Sequence, residues 1–150
     1  GYHAEIVLSG RRINESMSKY VADRLILEMC KRQINVSKAN ILIMGVTFKE
    51  DCTDIRNSKV FDIAKRLKEC NAKIDLYDPL ASKEQVSRYQ NYKLYKSLDN
   101  LYDYSAIVVA VAHKEFKEKS EDFWTNLIDQ NIIIFDVKSI LPRHKNIVRL

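Results

Sequence analysis

Glycine is nearly absent from this chain. Three occur in 150 residues, and Gly45 is the only one past residue 38. The fingerprint GxGxxG is therefore missing, and a dinucleotide is not cradled here in the usual Gly-rich manner. Cysteine is scarce as well: Cys30, Cys52 and Cys70 form no CxxC pair and leave an odd count. Neither a disulfide framework nor a zinc site is indicated, and a reducing cytoplasm fits. His3, His113 and His144 are scattered without HExxH or similar spacing, so no metal site is expected. No apolar run approaches the about 20 residues that cross a bilayer, and no signal peptide is seen. A single-sign charge stripe is also missing. Twenty-five Lys plus Arg stand against 20 Asp plus Glu, a formal net charge of +5. The two signs interleave, as in Lys114-Glu115-Phe116-Lys117-Glu118-Lys119, which argues against a nucleic-acid partner.

What is present has the make-up of a soluble globular protein, with 46% hydrophobic and 30% charged residues. A chain of this length supports one domain plus an appendage and buries roughly 70% of the surface its unfolded form exposes. It starts on Gly1 rather than Met, and it reads as a piece of something larger.

From Ile13 to Ile34 the apolar positions Ile13, Met17, Tyr20, Val21, Leu25 and Met29, with Lys19, Asp23, Glu28 and Arg32 between them, predict one long amphipathic helix. Its apolar face can pack on the domain, on an upstream domain or on a second copy; the sequence does not choose. Beyond it, the runs Ile41 to Met44, Ile74 to Tyr77, Ile107 to Ala112 and Ile132 to Phe135 are short and rich in β-branched residues. They alternate with helical segments at Ser58 to Asn71, Ser82 to Tyr89 and Ser120 to Gln130, with a single turn near Leu98. Tyr92 to Tyr95 and Asn146 to Leu150 are weaker strands. The alternation predicts an α/β fold with a mostly parallel, six-stranded, doubly wound Rossmann-like sheet behind a long N-terminal helix, in the order 3-2-1-4-5-6. Ligands of such sheets bind past the carboxyl ends of the strands, where the order reverses between the first and fourth.

Three of the four clearest strand ends carry a lysine: Lys49, Lys114 and Lys138. The densest of these ends is Gly45-Val46-Thr47-Phe48-Lys49-Glu50-Asp51-Cys52-Thr53-Asp54-Ile55-Arg56-Asn57-Ser58, which joins strand to helix. Asn57 or Ser58 fits the N-cap, and uncapped amides at a helix start attract anions. Lys49 and Arg56 add two full charges, the latter with the planar fork that suits phosphate or carboxylate. Solvated surface charge is the alternative reading of both. A receiver-like signalling domain, also α/β, needs an acidic pair after the first strand and an aspartate after the third; Gly45-Val46-Thr47 and Lys96-Ser97 stand there instead.

Gly45, Phe48, Lys49, Asp54, Arg56 and Ser58 match the pattern G-x-x-F-K-x-x-x-x-D-x-R-x-S. Tyr77-Asp78-Pro79, Ala112-His113-Lys114-Glu115-Phe116 and Phe135-Asp136-Val137-Lys138 follow in order. On these motifs the whole chain resembles the carboxyl-terminal UDP-sugar-binding domain of the UDP-glucose/GDP-mannose dehydrogenases. Gly10-Arg11-Arg12-Ile13-Asn14 and Gly1-Tyr2-His3 are similar to the segment after the catalytic cysteine in the branch that oxidises UDP-N-acetylhexosamines for capsule, O-antigen and Vi-type polysaccharides. The resemblance implies a cytoplasmic enzyme that oxidises the sugar C6 alcohol to a carboxylate in two NAD-dependent steps, with both the NAD fingerprint and the cysteine nucleophile upstream. It implies that residues 1–38 end a central helical region that dimerises, and that 39–150 form the UDP-sugar-binding domain. By position, Lys49 and Lys138 contact UDP-sugar, and Arg56 reaches the NAD pyrophosphate held by the upstream domain. Members often carry arginine where Lys138 stands. No catalytic residue is assigned to this chain: Cys52 belongs to the binding loop, and Cys30 and Cys70 are expected to be packing residues. Arg11 and Arg12 can bind substrate across a dimer or serve as surface charge. His113 can bond locally or touch nucleotide, and Asp54 can order the loop by accepting amides or pairing with Arg56. A non-catalytic α/β dimerisation or nucleotide-binding module is the alternative function.

Overall fold

The computed structural model describes residues 2–89 and 92–150, with side chains from Ser16 to Arg88 and from Tyr92 onward. The elements in order are α1 (Tyr2–Lys31), β1 (Asn40–Met44), α2 (Val60–Glu69), β2 (Lys73–Tyr77), α3 (Lys83–Tyr89), β3 (Leu94–Tyr95), β4 (Ala106–Val109), α4 (Lys114–Lys117), α5 (Glu121–Asp129), β5 (Ile133–Asp136) and β6 (Ile147–Arg149), with 3-10 turns at Val36–Lys38 and Leu101–Asp103. The six strands form one sheet in the order β3-β2-β1-β4-β5-β6, and every pairing in it is parallel.

Both faces of the sheet are covered, which is why its central strands are apolar at consecutive positions rather than alternate ones. Ile41, Ile43, Leu76, Val108 and Phe135 pack beneath α1, α2 and α3 through Val21, Leu25, Met29, Phe61, Leu67 and Val86. On the opposite face Leu42, Met44, Ile107, Val109 and Ile134 meet Phe116, Trp124 and Leu127 of α4 and α5. Each such side chain contributes roughly 1.5–3 kcal/mol by leaving water, so the core is held by many comparable increments.

The scarcity of glycine is resolved at the helix ends. Gln33, Asn71 and Asn131 adopt positive φ of 59°, 66° and 63° after α1, α2 and α5. In each case the next amide reaches back across the turn: Ile34 to the Met29 carbonyl at 2.9 Å, Ala72 to Leu67 at 3.4 Å, Ile132 to Leu127 at 3.2 Å. These are Schellman ends in which amide side chains occupy the left-handed position that glycine usually fills.

The structure departs from the sequence reading in five places. The amphipathic helix is longer, and its apolar set divides: Val21, Leu25 and Met29 are buried, while Met17 and Tyr20 are 47% and 51% exposed. The side chain of Ile13 lies outside the described residues. Cys30, expected to pack, is exposed on α1. The fourth strand ends at Val109 instead of Ala112, because the chain bends there to set Val111 against Gly45. The turn expected near Leu98 forms at Leu101–Asp103. Finally, α2 begins behind Lys59, not behind Asn57 or Ser58, yet the Ser58 hydroxyl accepts the Val60 amide at 3.3 Å and still caps the helix start. Asn57 takes a positive φ of 62° in the turn before it.

Candidate functional site

The carboxyl ends of β1, β4 and β5 lie side by side at the point where the strand order reverses. With the start of α2 and the Met17–Val21 stretch of α1, their loops enclose an open cleft of about 290 Å³. Lys49 follows β1, Lys138 follows β5, and Lys59 stands at the start of α2; all three line the cleft, against one carboxylate, Glu50, among the described residues. Val60, Ile63, Val111 and Val137 give it an apolar floor, and Phe48 leaves its ring 58% exposed at the rim. Cations around a partly apolar cleft suit a ligand with a charged phosphate group and a flat or sugar-like body. A larger cleft of about 340 Å³ adjoins Asn40 and Lys73 at the other end of the strands, but Asp75, Asp99 and Asp103 line it and repel an anion.

The cleft loops are tied down by buried carboxylates. Asp78, fully buried just past β2, accepts the amides of Val46, Leu80 and Ala81 at 2.8, 2.8 and 3.0 Å and the ring of His113 at 2.9 Å. Burial pushes its carboxyl up, but the hydrogen bonds from His113, Val46 and Leu80 outweigh burial and hold it below the usual carboxylate range. Asp136, fully buried at the end of β5, accepts the amides of Ile140 and Leu141 at 3.1 and 3.0 Å and has the Arg149 guanidinium at 3.5 Å. Arg149 also donates to the Leu141 and Pro142 carbonyls at 2.7 and 2.8 Å. The loop carrying Lys138 is thereby fixed from β6.

Lys49 and Arg56, seven residues apart in one loop, line different clefts. Arg56 borders a second opening with Asp54, Ile55, Gln85 and Arg88. Asp54 orders this turn in both ways foreseen: it accepts the Arg56 amide at 2.9 Å, and the Arg56 guanidinium through two bonds of 3.0 and 3.1 Å. The same pairing holds the Asp54 carboxyl below its ordinary value. The Cys52 thiol donates to the Lys49 carbonyl at 3.3 Å, a bond that shapes the loop. Of the three lysines expected on the rim, Lys49 and Lys138 line the cleft; the Lys114 ammonium lies 3.6 Å from Glu118, just past α4, and does not. His113 bonds locally and is buried, 1% exposed. Arg11 and Arg12 lie outside the residues whose side chains are described.

The model of the UDP-glucose/GDP-mannose dehydrogenase family, UDP binding domain, matches residues 42–143, from within β1 to the turn before β6. The chain belongs to this family. A UDP-N-acetyl-D-glucosamine 6-dehydrogenase of Salmonella typhi is 38% identical over 150 residues, covering all of this chain and 35% of that protein. One of Pseudomonas aeruginosa is 40% identical over 151 residues, again covering all of this chain and 35% of its own length. Among solved structures, the UDP-N-acetyl-mannosamine dehydrogenase Cap5O from S. aureus superposes with a TM-score of 0.73 at 25% identity, over 99% of this chain and 33% of that one. The chain thus spans about a third of the length of the curated relatives it matches.

Within this family domain, sequence reasoning overlooked Lys59 and Phe48 as cleft residues. Lys59 had a usable signal, since it directly precedes the first turn of a helix that starts beside the switch point. Phe48 had one too: an aromatic between two polar residues in a loop has no core to enter. The four-residue α4 had none, being too short for periodicity. Its start is capped from afar, by Asp51 Oδ1 accepting the Lys114 amide at 2.9 Å.

Proposed function

We propose that the cleft holds the diphosphate of a UDP-sugar, with Lys49 and Lys138 on its two sides. The whole enzyme is an NAD-dependent 6-dehydrogenase that oxidises a UDP-N-acetylhexosamine to the uronic acid for polysaccharide synthesis. The observation that carries this reading is the convergence of Lys49, Lys59 and Lys138 on one partly apolar cleft at the switch point of a family UDP binding domain. The N-acetylhexosamine branch rests on the two relatives named above, whose stated substrate is UDP-N-acetyl-D-glucosamine.

NAD would supply the hydride acceptor. The residues here fit one end of it only: Arg56, whose side chain is 82% exposed beside the second cleft, suits a phosphate contact. Gly45 stands alone where a glycine-rich cradle needs three glycines. The enzyme works in the cytoplasm, consistent with three free cysteines; among the described residues no helix is long and apolar enough to cross a membrane. Residues 1–38 complete a central helical region that pairs two copies. Tyr20 and Leu27, about half exposed along α1, supply apolar surface for that contact.

Titration calorimetry of the chain with UDP and UDP-N-acetylglucosamine, beside an NAD reduction assay, tests the reading. Binding of UDP without turnover is expected. Turnover by this chain alone would overturn the assignment of the nucleophile to another part of the enzyme, and absence of binding would overturn Lys49 and Lys138 as ligands.

A further inference from the structure

One buried imidazole ties two points of the binding loop, Thr47 and Asp51, to Asp78 just past β2. His113 Nδ1 faces the Asp51 amide at 3.0 Å. Its Nε2 faces Asp78 Oδ2 at 2.9 Å and Thr47 Oγ1 at 3.3 Å. The amide can only donate and the carboxylate only accept, so Nδ1 bears the lone pair and Nε2 the proton. Thr47 is consistent with this, because its hydroxyl hydrogen goes to the Lys49 carbonyl at 2.8 Å and its oxygen is left to accept from Nε2. A neutral ring in one tautomer is therefore bonded to Asp51 on one side of Lys49 and, through Thr47, to the carbonyl of Lys49 itself.

We propose that His113 is a positioning residue for the UDP-sugar site: its acceptor at Nδ1 and donor at Nε2, set by Asp78, fix the Thr47–Asp51 loop so that Lys49 meets the diphosphate. The consequence for ligand rests on the function proposed above; the holding of the loop does not. The loop needs holding, since Asp51 is a non-glycine residue at a φ of 56°. Protonating the ring would replace the acceptor at Nδ1 by a donor aimed at another donor. The charged groups around it are Asp78 from the end of β2 and Asp51 from the loop, whose Oδ1 is 3.9 Å from Nδ1. From α4 come the edge-on ring of Phe116, 5.3 Å away, and Lys114, which is turned to Glu118.

The test compares His113→Asn, whose side-chain oxygen keeps the acceptor for Asp51, with His113→Gln, whose amide nitrogen keeps the donor toward Asp78. Amide exchange of Asp51 is read by NMR on the unliganded chain, with Val108 in β4 as the reference for an intact fold. Affinity for UDP-N-acetylglucosamine, a phosphate diester with no ionisation of its own near neutrality, is read by calorimetry. In His113→Gln the Asp51 protection relative to Val108 should fall about fivefold or more, as expected for one lost hydrogen bond, and affinity should fall with it. His113→Asn should retain most of both. Unchanged Asp51 protection in His113→Gln overturns the inference, and so does loosened protection with unchanged affinity. If the wild-type chain binds no UDP-sugar, the proposed function falls, and the exchange result alone then decides whether His113 holds the loop.

Discussion

Replacing Gly45 by alanine should be among the most damaging single-methyl additions in this domain. Gly45 follows β1 with φ of +95°, and a Cβ built there would stand 2.6 Å from Val111 Cβ and 2.9 Å from the Val111 backbone nitrogen. The second contact is with backbone, so no side-chain rotation relieves it. The left-handed φ costs an alanine about 1–2 kcal/mol, and the overlap adds about 1–3 kcal/mol, as forced insertions into close-packed cores do. Reduced freedom of the unfolded chain returns about 0.4–1 kcal/mol. The net loss is about 1–5 kcal/mol, or a fall in Tm of about 2–20 °C for a domain of this size. Thermal unfolding followed by circular dichroism measures it. Because the strain separates the ends of β1 and β4, amide exchange should also quicken at Ala110, whose N–H bonds the Met44 carbonyl at 2.9 Å. A Tm within about 2 °C of wild type would refute the claim that β1 and β4 approach too closely at this point for any side chain.

Lys49→Ala and Lys138→Ala should each weaken UDP binding about fivefold to tenfold by calorimetry, since an exposed ammonium beside phosphate is worth about 1 kcal/mol. Both losses should shrink at high salt, and Arg56→Ala, in the other cleft, should leave UDP binding unchanged. Stability should decline in acid through Asp78. Its carboxyl titrates lower when folded than unfolded, so its contribution is complete above the unfolded value and is lost as pH falls through the folded one. Denaturant titrations from about pH 6 to about pH 2 should show this decline, shallower in Asp78→Asn. Glutamate at Tyr20 and Leu27 should abolish any self-association of the chain seen by sedimentation, while the Tm changes little, since both side chains are about half exposed.

The strand order was legible because a parallel sheet buried on both faces writes itself as short β-branched runs, and Ile41 to Met44 or Ile132 to Phe135 admit few other readings. That Lys49 and Lys138 share one cleft was legible because the fold places strand ends together. Contacts between loops were not. Asp51 and His113 are 62 residues apart and their bond follows no spacing rule. Lys114 looked equivalent to Lys49 until α4 turned it toward Glu118, and a single turn of helix leaves no periodic trace. The apolar stripe of α1 was visible as one wide face. Only the docking of Val21, Leu25 and Met29 on α2 and the sheet shows that Tyr20 and Leu27 belong to a second, exposed face, while Met17 stands at the cleft.

The shortage of glycine bears directly on how this site can bind an anion. A glycine-rich turn presents free backbone amides to phosphate. Here many of the amides at the carboxyl ends of the strands are already engaged: Val46, Leu80 and Ala81 with Asp78, Phe48 with the Asp54 carbonyl, Asp51 with His113, Lys114 with Asp51, and Ile140 and Leu141 with Asp136. The one glycine among the strand ends serves a close approach of β1 and β4 instead of a phosphate. Under the proposed function, anion binding rests chiefly on side-chain cations on loops stiffened by internal carboxylates, with Lys49, Lys59 and Lys138 in the cleft. Flexible ammonium groups on rigid loops bind by charge more than by shape. A site built this way depends on screening, on the loop locks at Asp78 and Asp136, and on each lysine in turn, where an amide cradle would depend on none of them.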